Sequence, residues 1–248
     1  MKLNWVPNTL TLGNLTLGFV SMLITSEAIP GPKYQNSFVL AGLFIILAAL
    51  FDGFDGIAAR ALNAQSKLGA ELDSLADLTT FGIAPGFLVY KMFLNSYRAD
   101  IFGTGVQFPY GMLIAAIFPI CAAYRLARFN ADHDPRYFSG LPSPVAGIFV
   151  GLTPLTFTVE TLPHGISIPI FVIVALLMVS TIRFSKPQIA IRGKFTKEKM
   201  FYTLLGIGIM VYAIGKGNWP WLMYGMIFFY VFTAIISLII QLIQEYRI

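Results

Sequence analysis

Between Asp52 and Asp77, four aspartates fall in helical register inside an otherwise apolar chain. The stretch reads Asp52-x-x-Asp55-Gly56-x-x-Ala59-Arg60, eight further residues, then Gly69-x-x-x-Asp73-x-x-x-Asp77. With Glu71 it holds five of the chain's twelve acidic residues. Spacings of three and four put each pair on one face of a helix. Two such faces set opposite one another make a cage of carboxylate oxygens, hard donors that suit Mg²⁺ or Mn²⁺. One aspartate facing lipid at mid-helix costs about 2.5–3.5 kcal/mol, so four would cost on the order of 10 kcal/mol. They must instead line a hydrated or metal-filled cavity. Gly56 and Gly69 each remove a side chain where helices or a ligand approach closely. Arg60, about one turn beyond Asp55, can fork onto a phosphate oxygen. Carboxylates, two metal ions and an arginine around one pocket point to phosphoryl chemistry.

The elements that must position these groups are membrane helices. The chain is 56% hydrophobic and only 12% charged, about half the charge of a soluble domain. Its mean hydropathy is +0.73. Runs long enough to cross a bilayer occur at about 9–28, 37–60, 69–93, 108–130, 141–160, 166–184, 200–215 and 219–241. The expected fold is therefore all-α and polytopic, with about eight spans in a single membrane domain over residues 1–248.

The net charge of +5 reports topology. With the N-terminus cytoplasmic, thirteen basic residues fall inside and only Lys33, Lys91, Arg98 and Lys216 outside, the asymmetry that orients membrane proteins. Both termini and the aspartates are then cytoplasmic, and a nucleic-acid partner is not implied. The lone Cys121 excludes a disulfide framework and reads as a buried thiol. His133 and His164 have no partner at ligand spacing.

The pattern D-x-x-D-G-x-x-A-R-x8-G-x-x-x-D-x-x-x-D, with every defined position filled, resembles the signature of the CDP-alcohol phosphotransferases. That resemblance implies a six-helix catalytic core, here about 8–190, in a homodimeric enzyme of the cell (inner) membrane. Such enzymes cleave a CDP-linked lipid and join its phosphatidyl part to an alcohol. It implies that Asp52, Asp55 and Asp73 hold two divalent ions, and that Asp77 is both ligand and base. Asn8 and Thr11, in Asn8-Thr9-Leu10-Thr11, would lie near the CDP moiety, although Asn8 alone could also cap a helix. Gly56, Ala59, Arg60, Ser66 and Gly69 complete the implied nucleotide site.

Three further segments narrow the resemblance: Asp73-Ser74-Leu75-Ala76-Asp77 with Thr79-Thr80-Phe81-Gly82, then Tyr124 to Asn130, then Phe138 to Pro144. They are similar to the bacterial and archaeal branch that makes phosphatidylserine, which implies CDP-diacylglycerol and L-serine as substrates and CMP as the second product. That branch commonly has serine where this chain has Thr80. Serine is a zwitterion, so its site should offer a cation to the carboxylate. Arg125 or Arg128 is the candidate, for that group or for the lipid phosphate, and Asn130 and Ser143 are possible polar partners. The two spans at about 200–241 carry no motif and read as lipid or subunit contact.

Two rival readings remain open at this stage. The same chemistry could serve glycerol phosphate, inositol phosphate, choline or an ether-lipid donor. A divalent-cation transporter would instead spread acids across the membrane depth, whereas these cluster at one end of two adjacent spans.

Overall fold

A computed structural model of the chain describes residues 5–29, 31–100, 103–131, 137–158, 160–185 and 212–245. The seventh expected span, about 200–215, lies outside these apart from a helical turn at residues 212–215. His133, Arg136 and the basic residues from Lys186 to Lys199 also lie outside them.

The described chain is helical. Helix α1 (Trp5–Glu27) and helix α2 (Gln35–Ala61) form an antiparallel pair. Helix α3 (Lys67–Asp77) runs without a break through a π-helical turn (Leu78–Ile83) into α4 (Ala84–Val89) and a second π turn (Tyr90–Leu94). Then come α5 (Gly111–Ala131), α6 (Ser143–Gly151), α7 (Thr153–Thr156), α8 (His164–Val179) and α9 (Trp219–Glu245). Among the described residues, four helices are long and apolar enough to cross a membrane: α1, α2, α5 and the 219–239 part of α9. Two shorter apolar stretches, Ser143–Thr156 and His164–Val179, occupy the positions of the expected fifth and sixth spans. The third expected span is the segmented rod from α3 to the second π turn.

Helix packing here inverts the pattern of a soluble protein. The buried positions of α1 are Pro7, Thr11, Asn14, Gly18, Ser21 and Thr25, a helical stripe of small and polar residues. Its Leu12, Phe19 and Leu23 point outward. Hydrocarbon outside is as apolar as leucine, so close packing and interhelical hydrogen bonds hold such helices together. Ser21 accordingly donates to the Ala41 carbonyl of α2 at 2.9 Å, and Thr80 in the first π turn donates to the Asn14 carbonyl at 3.1 Å. Gln35 at the start of α2 donates to the Pro154 and Phe157 carbonyls at 2.7 and 3.1 Å, satisfying the end of α7. Larger apolar side chains fill the centre: Phe38, Ile45, Phe81, Leu88 and Phe118 are fully buried.

Two short strands set the entry to α6. Strands β1 (Ala99–Asp100) and β2 (Gln107–Phe108) merely close one turn. Strand β3 (Tyr137–Ser139) pairs antiparallel with β4 (Arg183–Ser185), with Ser139 opposite Arg183. Gly140 then takes φ +81°, which other residues rarely adopt, and lies against the Met178 carbonyl where no side chain fits. The amides of Gly140 and Leu141 donate to the carbonyls of Ile182 and Leu177, both at 2.9 Å. This fixes the start of α6 against the end of α8.

Helices α2 and α6 meet at Gly42, where any Cβ would collide with the Gly151 carbonyl. Gly42→Val should lower stability by about 1–3 kcal/mol through overpacking. An unchanged thermal unfolding temperature in detergent would mean that this contact is loose.

Candidate functional site

The four aspartates converge from α2 and α3. One carboxylate oxygen each from Asp52, Asp55 and Asp73 lies within 4.8 Å of the others. Asp77 falls outside that triple, one turn further along α3, though the Asp52 carboxyl reaches it. Asp55 is held by Thr11, whose hydroxyl donates to Oδ2 at 2.7 Å. Asp77 Oδ2 accepts from Ser143 Oγ at 3.4 Å, and Ser143 Oγ in turn accepts from Arg125 Nη1 at 2.7 Å. A line of contacts thus runs from the α5 guanidinium through the first residue of α6 to the last residue of α3. All three residues are buried.

Two cavities flank the aspartates. The smaller, about 290 Å³, lies between α1, the end of α2 and the start of α3. Asn8, Thr11, Gly56, Ala59, Ser66 and Gly69, all expected from the sequence to meet the nucleotide, line it, together with Gln65. The larger, about 680 Å³, holds Asp52, Asp77, Arg60, Arg125 and Asn130. Asp55, Gly56, Ala70 and Asp73 belong to both walls. Two small residues and two carboxylates are therefore the partition between the chambers.

Individual residues sit as follows. Ser66 caps α3, accepting from the Gly69 amide at 3.0 Å, so its hydroxyl serves the helix as well as facing the cavity. Asn8 lies inside the first turns of α1 and is not its cap; its Oδ1 lies close beside Gly69. Arg60 is exposed, with its guanidinium lying back over Gly56. Asn130 donates to Ser74 Oγ at 3.0 Å, tying α5 to α3.

The two arginines of α5 part company. Arg125 faces the carboxylates. Arg128 turns to the end of α8, donating to the carbonyls of Val179, Ser180 and Ser139 at 3.0, 3.0 and 2.7 Å. Those carbonyls end a helix and a strand and need donors, which is why Arg128 is drawn there and away from the chamber.

Sequence reasoning missed five residues, four of them on the cavity walls. Gln65 carries no pattern. Asn14 is fully buried with its side-chain N and O unpartnered among the described residues; its place in the small-residue stripe of α1 was the available signal. From α9, Met226, Ile227 and Tyr230 reach the larger cavity, although that helix reads from sequence as lipid or subunit contact.

The donor set fits a divalent cation. Four carboxylates face one buried guanidinium, an excess of negative charge that low dielectric makes costly without a cation. Asp77 Oδ1 is buried without a hydrogen-bond partner among the described residues, leaving an oxygen available for ligation. An octahedral ion with ligands at about 2.0–2.1 Å holds its oxygens roughly 3–4 Å apart, within small movements of the observed triple.

Residues 4–240 match the family model described as CDP-alcohol phosphatidyltransferase. The chain belongs to the CDP-alcohol phosphatidyltransferase family. Curated relatives include the Helicobacter pylori (strain J99) CDP-diacylglycerol–serine O-phosphatidyltransferase, 37% identical over 185 residues, covering 72% of this chain and 70% of the relative. The Bacillus subtilis protein of that name is 36% identical over 184 residues, covering 73% and 90%. The one from Methanocaldococcus jannaschii is 31% identical over 186 residues, covering 75% and 76%. As a CDP-alcohol phosphatidyltransferase, the chain carries its acidic cluster in a membrane helix bundle.

Two substitutions test the site's construction. Thr11→Val removes the bond that orients Asp55, and loss of such an outer partner typically weakens metal binding about 10–100-fold. Mn²⁺ titration followed by electron paramagnetic resonance should show this, with Thr11→Ser close to the parent; equal affinities in all three would detach Thr11 from the cluster. Arg128→Ala should lower the unfolding temperature by losing hydrogen bonds from a charged donor, worth about 1.5–3 kcal/mol each. A variant with unchanged stability would show that water caps α8 equally well.

Proposed function

We propose that this protein transfers the phosphatidyl group of CDP-diacylglycerol to the hydroxyl of L-serine, giving phosphatidylserine and CMP. The observation that carries the reading is the partition: Asp55 and Asp73 stand between two chambers, with Asp77 facing the larger. Direct displacement at phosphorus needs the leaving group and the nucleophile on opposite sides. CMP would occupy the smaller chamber, with Asn8, Thr11, Gly56, Ala59, Ser66 and Gly69 as its contacts. Arg60, which opens onto the larger chamber, would reach the pyrophosphate linkage of the donor from the other side of the partition. Serine then comes from the larger one. The names of the relatives support serine as the acceptor.

Asp52, Asp55, Asp73 and Asp77 would hold two divalent ions, Mg²⁺ or Mn²⁺. Held by these carboxylates, the ions would supply positive charge to the phosphate oxygens and to the leaving group. The remaining work falls to the chain. Asp77 accepts the proton of the serine hydroxyl as its oxygen bonds to the lipid-side phosphorus and the bond from that phosphorus to CMP breaks. Ser143, supported by Arg125, fixes which way the Asp77 carboxylate points. Arg125 also lies where it can meet the serine carboxylate, a role the clamped Arg128 is less free to take. The apolar walls of the bundle keep out water, which would otherwise compete as acceptor.

The aspartates and both termini lie on the cytoplasmic side of the inner membrane, in keeping with the thirteen-to-four split of basic residues. The chain forms one catalytic domain over residues 1–248, with its core at about 8–190, and works as a homodimer.

Purified protein with CDP-diacylglycerol, Mn²⁺ and L-serine should release CMP, and EDTA should stop it. Release only with another alcohol would overturn serine while keeping the chemistry. Asp77→Asn should lower turnover by about 10²–10⁴-fold, the size of a general-base contribution, without lowering the unfolding temperature. Near-normal turnover in that variant would remove Asp77 from the proton transfer.

A further inference from the structure

Helix α9 has no sequence motif, yet Met226, Ile227 and Tyr230 stand on the wall of the chamber that holds Asp77 and Arg125. Offsets of one and four place them on one side of the helix. Two are apolar, and Tyr230 alone brings a hydrogen-bonding group. Its ring packs on Phe184 of β4 at 5.4 Å between centroids. Phe184 is fully buried, and the β3–β4 pairing that holds it also sets the entry to α6. Tyr230 is therefore positioned by the same small sheet that delivers Ser143 to Asp77. It also lies near enough to Arg125 for the two to interact electrostatically.

Resting on the function proposed above, we propose that Tyr230 is an acceptor-selecting residue which, beside Arg125, donates its hydroxyl hydrogen bond to the carboxylate of the incoming amino-acid alcohol. The geometry of serine requires such a place. Its hydroxyl and carboxylate are borne on adjacent carbons, so once the hydroxyl faces Asp77 the carboxylate must bind within a few ångströms of it. Arg125 is linked to Asp77 through Ser143 by contacts of 2.7 and 3.4 Å, which puts a guanidinium at that range. A guanidinium alone grips any anion, phosphate included. A phenol hydroxyl at a fixed angle beside it narrows the choice, because a site built to donate to a group rejects analogues lacking that group. Met226 and Ile227, flanking Tyr230, give the same wall an apolar surface that excludes water and bulkier polar acceptors.

Tyr230→Phe tests this, because it keeps the ring against Phe184 and removes only the hydroxyl. The KM for L-serine should rise on the order of tenfold, the size of one hydrogen bond to a charged group. The KM for CDP-diacylglycerol and kcat should change little, as expected when binding common to ground and transition states is lost. Preference for L-serine over ethanolamine, which lacks the carboxylate, should fall by the same factor. Tyr230→His, with a flat ring and a donor, should recover part of the loss. An unchanged KM for serine, or equal losses for serine and ethanolamine, would overturn the proposal. So would a variant whose only defect is a lower unfolding temperature, since a purely packing role predicts that result. Should the parent protein itself fail to use serine, the function proposed above falls and this inference with it. Should the parent use serine and Tyr230→Phe match it, only this inference falls.

Discussion

Carboxylates removed from water need positive charge close by, and the bundle is arranged around that need. Asp52 and Asp55 come from α2, and Asp73 and Asp77 from α3. Their oxygens meet only because these helices pack with small residues between them. Ala70 and Gly56 leave the partition thin, and the small and polar stripe of α1 lets that helix lie close enough for Thr11 to reach Asp55. A leucine in place of any of these would fill a chamber or push two carboxylates apart. The packing that would be poor in a soluble core is what a charged site in a bilayer requires.

The second half of the bundle serves Asp77. Arg128 and the amides of Gly140 and Leu141 gather the ends of α5, β3 and α8 into one knot. The knot sets where α6 begins, and its first residue is Ser143. That serine joins Arg125 to Asp77. Through the carbonyls it holds, Arg128 thereby bears on the orientation of the group proposed to take the proton. Directly after Asp77 the helix opens into a π turn, a feature often found beside functional sites. There Thr80 bonds to the Asn14 carbonyl and secures α3 to α1 just past the last aspartate.

Much of this was legible in the sequence because helical periodicity is a local property. Spacings of three and four in Asp52, Asp55, Asp73 and Asp77 state that each pair shares a face, and the length of apolar runs states that the faces belong to membrane helices. Six of the residues expected around the nucleotide also gather, because they come from consecutive helices and the turn between them, while Arg60 opens onto the other chamber. Arg125 and Arg128 could not be told apart in advance. Three residues of separation leaves both on neighbouring faces, and the choice between them depends on where α8 ends, some fifty positions later. The π turns in the third span left no signal, since about one extra residue per turn shifts the register without changing which residue types follow one another. Tyr230 was invisible for a related reason: in a helix carrying Phe228, Phe229 and Phe232, one more aromatic ring looks like lipid contact until its neighbours across the bundle are known.

Placing the acids at a partition rather than along a path also decides what sort of device this is. A cation pathway would string its carboxylates through the membrane so that an ion could pass from one to the next. Here the three grouped aspartates stand where two chambers meet, at one end of α2 and α3. An ion held there meets no further grouped carboxylates among the described residues, and it lies between whatever occupies the two sides. The chambers are unequal, about 290 and 680 Å³, and only the larger carries Asp77, Arg125 and Tyr230. The two chambers thus differ in chemistry as well as in size, as a site that must receive two unlike groups requires.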